Sequence, residues 1–187
     1  GKYRIYRKTD SGNWEDIGET TASSFTDRST EIGSSYTYTV QCLDAEGTPV
    51  SDYDPTGRNL SPAETPVLAG VSNTDTGVRI SWSDARGAEK YRVFRKTAGG
   101  TWSRIGDTSD LFYTDISATS GTEYTYTVRC VNTVGDYSSD YDHTGKSVLY
   151  VAAPVITGLS TTAGGVQIVW GEVTGAAKYR VFRKTGS

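Results

Sequence analysis

The segment Lys2-Tyr3-Arg4-Ile5-Tyr6-Arg7-Lys8-Thr9 returns 88 residues later as Lys90-Tyr91-Arg92-Val93-Phe94-Arg95-Lys96-Thr97. It returns again, at the same offset, as Lys178-Tyr179-Arg180-Val181-Phe182-Arg183-Lys184-Thr185. Between these markers the register never slips: Trp14 matches Trp102, Gly33 matches Gly121, Cys42 matches Cys130 and Trp82 matches Trp170. Of the 88 positions in residues 2–89, 39 are identical in residues 90–177. A gapless period of this length makes each repeat a structural module of its own. The size is that of a small sandwich domain.

Within each repeat the apolar residues alternate. Val78, Ile80 and Trp82 fall on one face of a strand and Arg79 and Ser81 on the other, and Val166, Ile168 and Trp170 repeat the pattern. Tyr36, Tyr38, Val40 and Cys42 alternate with Thr37, Thr39 and Gln41, and Tyr124, Tyr126, Val128 and Cys130 do so one repeat later. Clusters of Gly, Asp, Ser and Thr separate these runs, and no helical period occurs. The 13 tyrosines, 4 tryptophans and 21 glycines suit short strands joined by turns. The pattern predicts an all-β chain of tandem antiparallel β-sandwiches.

The motifs in order are Pro66, Trp82, Tyr91-Arg92-Val93 and Gly121-Thr122-Glu123-Tyr124-Thr125-Tyr126-Thr127-Val128. They resemble the fibronectin type III family, whose strand A begins at a proline, whose strand B carries a tryptophan and whose strand C is of Tyr-x-Val type. The family's strand F carries a corner tyrosine, so the resemblance implies that the hydroxyls of Tyr36 and Tyr124 bond nearby backbone. The Ser-Asp-Tyr-Asp-x-Thr-Gly phrase is similar to arrays of Gram-positive bacterial surface proteins. That likeness implies an extracellular, cell-surface setting.

With strand A starting near Thr65-Pro66, residues 64–152 make one complete module. Residues 1–63 then hold strands C to G of another, and residues 153–187 hold strands A to C of a third. The sequence contains no methionine, so it reads as a piece of a longer protein. Each partial module lacks the sheet that covers its apolar face. The expected cover is either a neighbouring copy joined head to tail or adjoining modules of the same array.

Net charge −3 and pI about 5.2 exclude a global basic field for nucleic acid or anionic membrane. No apolar run reaches membrane-spanning length, so no membrane insertion is expected. Cys42 and Cys130 sit at equivalent inward positions, too far apart for a disulfide, and read as small buried hydrophobes. His143, the single histidine, has Pro55 as its counterpart, so no function shared by the repeats depends on it. No nucleophile motif or acid pair in a cleft is evident. Neither an enzyme nor a cofactor is expected.

Two features invite a binding role. Asp52-Tyr53-Asp54-Pro55-Thr56-Gly57 and Asp140-Tyr141-Asp142-His143-Thr144-Gly145 resemble the front half of a calcium loop, with Asp52, Asp54, Asp140 and Asp142 as its oxygens. The acid expected at the twelfth position is replaced by Ala63 and Val151. The plainer reading is a polar turn entering strand G. The second feature is an outward face. Arg92, Phe94 and Lys96 flank Thr125, Thr127 and Arg129, with Trp102 arriving from the next strand; Arg4, Tyr6, Lys8 and Trp14 are equivalents. Aromatic rings beside cations suit a sugar ring or an anionic group; the plainer reading is mutual shielding, with Trp102 covering Phe94 and the Arg and Lys stems. The sequence thus predicts a structural spacer or adhesion stalk. Its rival is an accessory module binding polysaccharide or a host surface protein through this face.

Overall fold

A computed structural model describes residues 1–185, and every regular element in it is a β-strand. The chain divides into two compact units. The first gathers Gly1–Pro66, Asp84–Tyr91 and Arg129–Tyr141. The second gathers Val67–Ser83, Arg92–Val128 and the residues from Asp142 onward.

In the first unit, β1 (Lys2–Thr9), β2 (Glu15–Thr20), β3 (Tyr36–Leu43) and β4 (Arg58–Leu60) form an antiparallel sheet of order β2-β1-β3-β4. β1 and β3 pair without a slip from Lys2↔Leu43 to Thr9↔Tyr36. In the second unit, β5 (Leu68–Asn73), β6 (Val78–Trp82) and β9 (Phe112–Asp115) form a sheet of order β5-β6-β9. Two strands, β7 (Lys90–Lys96) and β10 (Glu123–Val131), contribute residues to both units. With β8 (Ser103–Thr108) and β11 (Tyr137–Tyr141) they build the order β11-β10-β7-β8, and β12 (Lys146–Leu149) pairs with β10 as well. A separate hairpin joins β13 (Ile156–Thr162) to β14 (Gly165–Trp170).

The alternation read from sequence sets the core. Along β6 the burial follows the period of two: Val78 and Ile80 are fully buried, Trp82 nearly so, and Arg79 is exposed. Val93, Tyr126 and Val128 are buried on the other sheet. Arg95 on β7 and Tyr126 on β10 both donate to Asp115 on β9, which fixes the two sheets face to face. From β5 onward, the first, second and fifth strands share one sheet, and the third, fourth, sixth and seventh share the other. That partition is the fibronectin type III-like sandwich. The corner tyrosines behave as the resemblance implied: the Tyr36 and Tyr124 hydroxyls accept the backbone N–H groups of Glu31 at 3.0 Å and Thr119 at 3.2 Å.

Three expectations need correction. Cys42 is exposed, not buried, although Cys130 is buried, and Val40 is 53% exposed where Val128 is buried. The alternation of β3 is the expected one, but among the described residues nothing comparable to β5-β6-β9 covers that face. Thr39 and Thr127, expected to point outward into solvent, are buried because a loop lies over them. Lastly, Lys178–Thr185 forms no strand. Its counterparts β1 and β7 each run between two hydrogen-bonded neighbours, and it has none among the described residues.

Two backbone seats recur 88 residues apart, one in each unit. The Pro62 carbonyl accepts from the Gly33 N–H at 2.8 Å, and the Tyr150 carbonyl accepts from the Gly121 N–H at 2.8 Å. Against each lies a second glycine at positive φ, Gly87 (φ 82°) and Gly175 (φ 89°). A Cβ on Gly87 would stand 2.8 Å from the Pro62 oxygen and 3.2 Å from the Gly33 nitrogen, and one on Gly175 would stand 2.9 Å from the Gly121 Cα. Glycine therefore serves both close approach and the left-handed backbone here. The first seat is reinforced by Ala63 N–H to Ser138 O at 2.7 Å and Glu64 N–H to Arg86 O at 2.9 Å. Arg58 adds a bidentate pair to Asp136 at 2.6 and 2.8 Å. In the second, the Ser120 hydroxyl donates to Thr174 O at 2.8 Å and accepts from Ala152 N at 2.9 Å.

Candidate binding face

The Asp-x-Asp-x-Thr-Gly segment is a bulge, and it meets the outward face. In the second repeat the chain leaves the ladder after Tyr141 and rejoins it at Lys146, so that β11 and β12 both pair with β10 around residues 142–145. The bulge folds inward over β10: Thr127 Oγ1 donates to Asp142 O at 2.7 Å, and Asp142 Oδ1 accepts Thr144 N–H at 2.9 Å. Gly145 closes it at φ 71°, so near Trp102 that an added Cβ would lie 3.0 Å from the indole and 2.4 Å from Tyr126 O. Lys96 Nζ covers the Trp102 ring at 4.3 Å. The first unit is built the same way. Thr39 Oγ1 donates to Asp54 O at 2.9 Å, Asp54 Oδ1 accepts Thr56 N–H at 2.9 Å, and Lys8 Nζ lies 4.6 Å from the Trp14 ring.

The residues expected to form a ligand face are thus brought together, but their functional groups are directed at one another. Arg92 makes a two-point pair with Asp107 at 2.8 and 2.9 Å, and Arg104 joins the same carboxylate. These guanidinium donors hold the Asp107 carboxyl below its ordinary range. Arg4 donates to Glu19 at 2.6 Å and approaches Asp16 at 3.2 Å. Arg129 donates to Ser139 O and stacks on Tyr137 at 4.1 Å and on Tyr141 at 5.6 Å. Gln41, its counterpart, donates to Ser51 O at 2.9 Å and accepts the Tyr6 hydroxyl at 3.1 Å. Phe94 is half-buried. In the first unit Tyr53 is 5.6 Å from Tyr6 and meets Trp14 edge-on at 6.0 Å. It leaves a small aromatic patch partly open to solvent.

Three of the four calcium candidates accept nearby backbone N–H groups. Besides Asp54 and Asp142, Asp140 Oδ1 accepts Tyr141 N–H at 2.9 Å, and Asp52 is exposed. Among the described residues no group of three His, Cys, Asp or Glu side chains converges. Asp54 and Asp142, each bonded to the N–H two residues on, form Asx turns within the bulge.

Sequence reasoning missed an inward carboxylate cluster that recurs in both units. Asp115, 2% exposed, accepts Arg95 Nη1 at 2.6 Å and the Tyr126 hydroxyl at 2.9 Å on one oxygen. On the other it accepts Ser117 N at 3.0 Å and Ser117 Oγ at 2.7 Å. Burial works to raise this carboxyl, but the donors from Ser117, Arg95 and Tyr126 outweigh it and hold it below its usual range. Burial and the adjoining Asp115 push the Tyr126 hydroxyl upward. Asp27 repeats the cluster with Arg7 at 2.8 Å, Tyr38 at 3.1 Å and Ser29 at 2.7 Å. The signal is present in the alternation, which places Arg7 and Arg95 inward, where each requires an acid.

The folded architecture is that of a fibronectin type III-like β-sandwich, and the side chains of its outward face pair largely with one another. No family model matches the chain. It is 33% identical over 137 residues to exoglucanase B of Cellulomonas fimi, covering 66% of this chain and 12% of that protein. It is 29% identical over 198 residues to endoglucanase B of Cellulomonas fimi, covering 91% of this chain and 18% of that protein. The chain therefore spans less than a fifth of the length of these curated relatives. Among solved structures, a two-domain fibronectin type III segment of chicken tenascin matches at 20% identity and a TM-score of 0.42, over 80% of this chain and 84% of that one.

Proposed function

We propose that the chain is a non-catalytic spacer within a larger extracellular bacterial protein. It consists of modules bounded near residues 1–63, 64–152 and 153–187, which hold other domains apart. The observation that carries this reading is the pair of glycine seats. At each, backbone of one module sits directly on a loop of the next, and both seats use the same positions 88 residues apart. A chain selected to set a fixed distance needs such a joint; a chain selected only to bind does not. The relatives named exoglucanase and endoglucanase support a setting in a carbohydrate-degrading protein. An adhesion stalk at a cell surface is the same mechanical role in another parent protein.

A second reading, favoured by the part-open Tyr6, Trp14 and Tyr53 patch, is an accessory module that binds polysaccharide. Pull-down on insoluble cellulose separates the two, using the parent, Trp14→Ala and Trp102→Ala. The spacer reading expects all three to stay in the supernatant. Retention of the parent with loss in either variant replaces it by the binding reading.

A further inference from the structure

The bulge of the first unit holds the one Asp–Pro bond in the sequence, Asp54-Pro55, and its counterpart in the second repeat is Asp142-His143. The two bulges share one frame. Thr39 Oγ1 donates to the Asp54 carbonyl at 2.9 Å and Thr127 Oγ1 to the Asp142 carbonyl at 2.7 Å. Asp54 Oδ1 and Asp142 Oδ1 each accept the N–H two residues on at 2.9 Å. Both threonines are buried, at 8% and 1% exposure, and each is fixed within a strand, β3 or β10. Gly57 and Gly145 close the bulges at φ 62° and 71°, where an added Cβ would meet the Tyr38 and Tyr126 carbonyls.

This frame meets the needs of one reaction, scission of a peptide bond by the aspartate's own side chain. The carbonyl to be attacked already accepts a hydroxyl donor, which stabilises the oxyanion formed on attack. The Thr56 N–H pins the carboxyl group beside its own backbone, so that little rotational freedom remains to be lost. The leaving groups differ between the repeats. The Pro55 nitrogen carries no hydrogen and three carbon substituents. It is a stronger base than an ordinary amide nitrogen such as that of His143, and it departs as a secondary amine. Asp54, Pro55 and Thr56 are exposed, which gives water access.

We propose that the fold makes Asp54–Pro55 a site of intramolecular chain scission, with Asp54 as nucleophile and Thr39 as the donor that polarises the carbonyl. Oδ2 of the Asp54 carboxyl group attacks the Asp54 carbonyl carbon. The bond to the Pro55 nitrogen breaks, and the carboxyl proton passes to that nitrogen. Asp54 is left as a five-membered cyclic anhydride, which one water opens to a side-chain and a C-terminal carboxyl. The products are residues 1–54 and 55–187. The chain thus carries a breaking point that a spacer role does not require and that does not depend on one.

The test holds the intact chain at the lowest pH that leaves its circular dichroism unchanged, about 4 by the ordinary carboxyl range. Mass spectrometry is expected to find those two fragments and none cut after Asp142. In urea at the same pH the cut should slow, because the frame is lost. Thr39→Val should slow the folded chain about tenfold, less than the ~10²–10³ lost with a donor of a water-excluded oxyanion hole. Its rate in urea should match the parent's. His143→Pro should gain a second cut, after Asp142. An uncut parent, a cut as fast in urea as in the folded chain, a Thr39→Val chain cut at the parent's rate, or a His143→Pro chain left whole after Asp142 overturns the proposal.

Discussion

Asp115 on β9 ties its sheet to the one that holds β7 and β10 by accepting from Arg95 and Tyr126. Removing its carboxylate leaves the Arg95 guanidinium in a largely enclosed position without its partner, and costs of this kind run to about 3–5 kcal/mol. Arg95 keeps some solvent contact, so Asp115→Ala should cost about 3 kcal/mol in denaturant unfolding. The same carboxyl sets a pH dependence. Its folded value lies below the value in the unfolded chain, about 3.9. Its stabilisation is therefore complete above that unfolded value and is lost as pH falls through the lower, folded one. Asp115→Asn should flatten the acid limb of the stability curve relative to the parent; parallel limbs would show that the group does not titrate in this way. The cluster is legible in principle, since Thr114-Asp115-Ile116-Ser117 repeats Thr26-Asp27-Arg28-Ser29 and Arg95 sits at an inward position. It escapes a reading of alternation confined to apolar residues.

At the level of elements, the strands themselves are legible because a period of two with Gly-rich breaks has few other solutions. The bulge between β11 and β12 is not. Its sequence announces a turn, but only its hydrogen bonds place it across β10, where Thr127 reaches Asp142 O. That crossing buries Thr127 on the outward side of β10 and brings Gly145 against Trp102. It involves residues 15 positions apart, beyond any local pattern. The loop glycines give a sharp comparison at the same scale. Gly87 and Gly99 share nearly the same φ, 82° and 71°, but a Cβ on Gly99 meets nothing within 4 Å whereas one on Gly87 meets Pro62 O. Gly99→Ala should therefore cost only the left-handed backbone penalty of about 1–2 kcal/mol. Gly87→Ala should cost distinctly more and lower the melting temperature further. Equal losses would mean that the seat yields freely and that the joint is not fixed.

For the molecule as a whole, equivalent sequence does not guarantee equivalent surroundings. Cys42 and Cys130 occupy the same place in their strands and differ in cover: the first is exposed, and burial raises the pKa of the second. A thiolate is the reacting species, so alkylation under native conditions should modify Cys42 rapidly and Cys130 only on unfolding. Matching rates would contradict the burial of Cys130. The pair thus amounts to a built-in chemical gauge with its own internal standard. In any longer array or mixture of chains, the ratio of label on the two sulfurs, read from one peptide map, reports what fraction of chains have the face of β3 occupied. It does so without dye, tag or engineered residue.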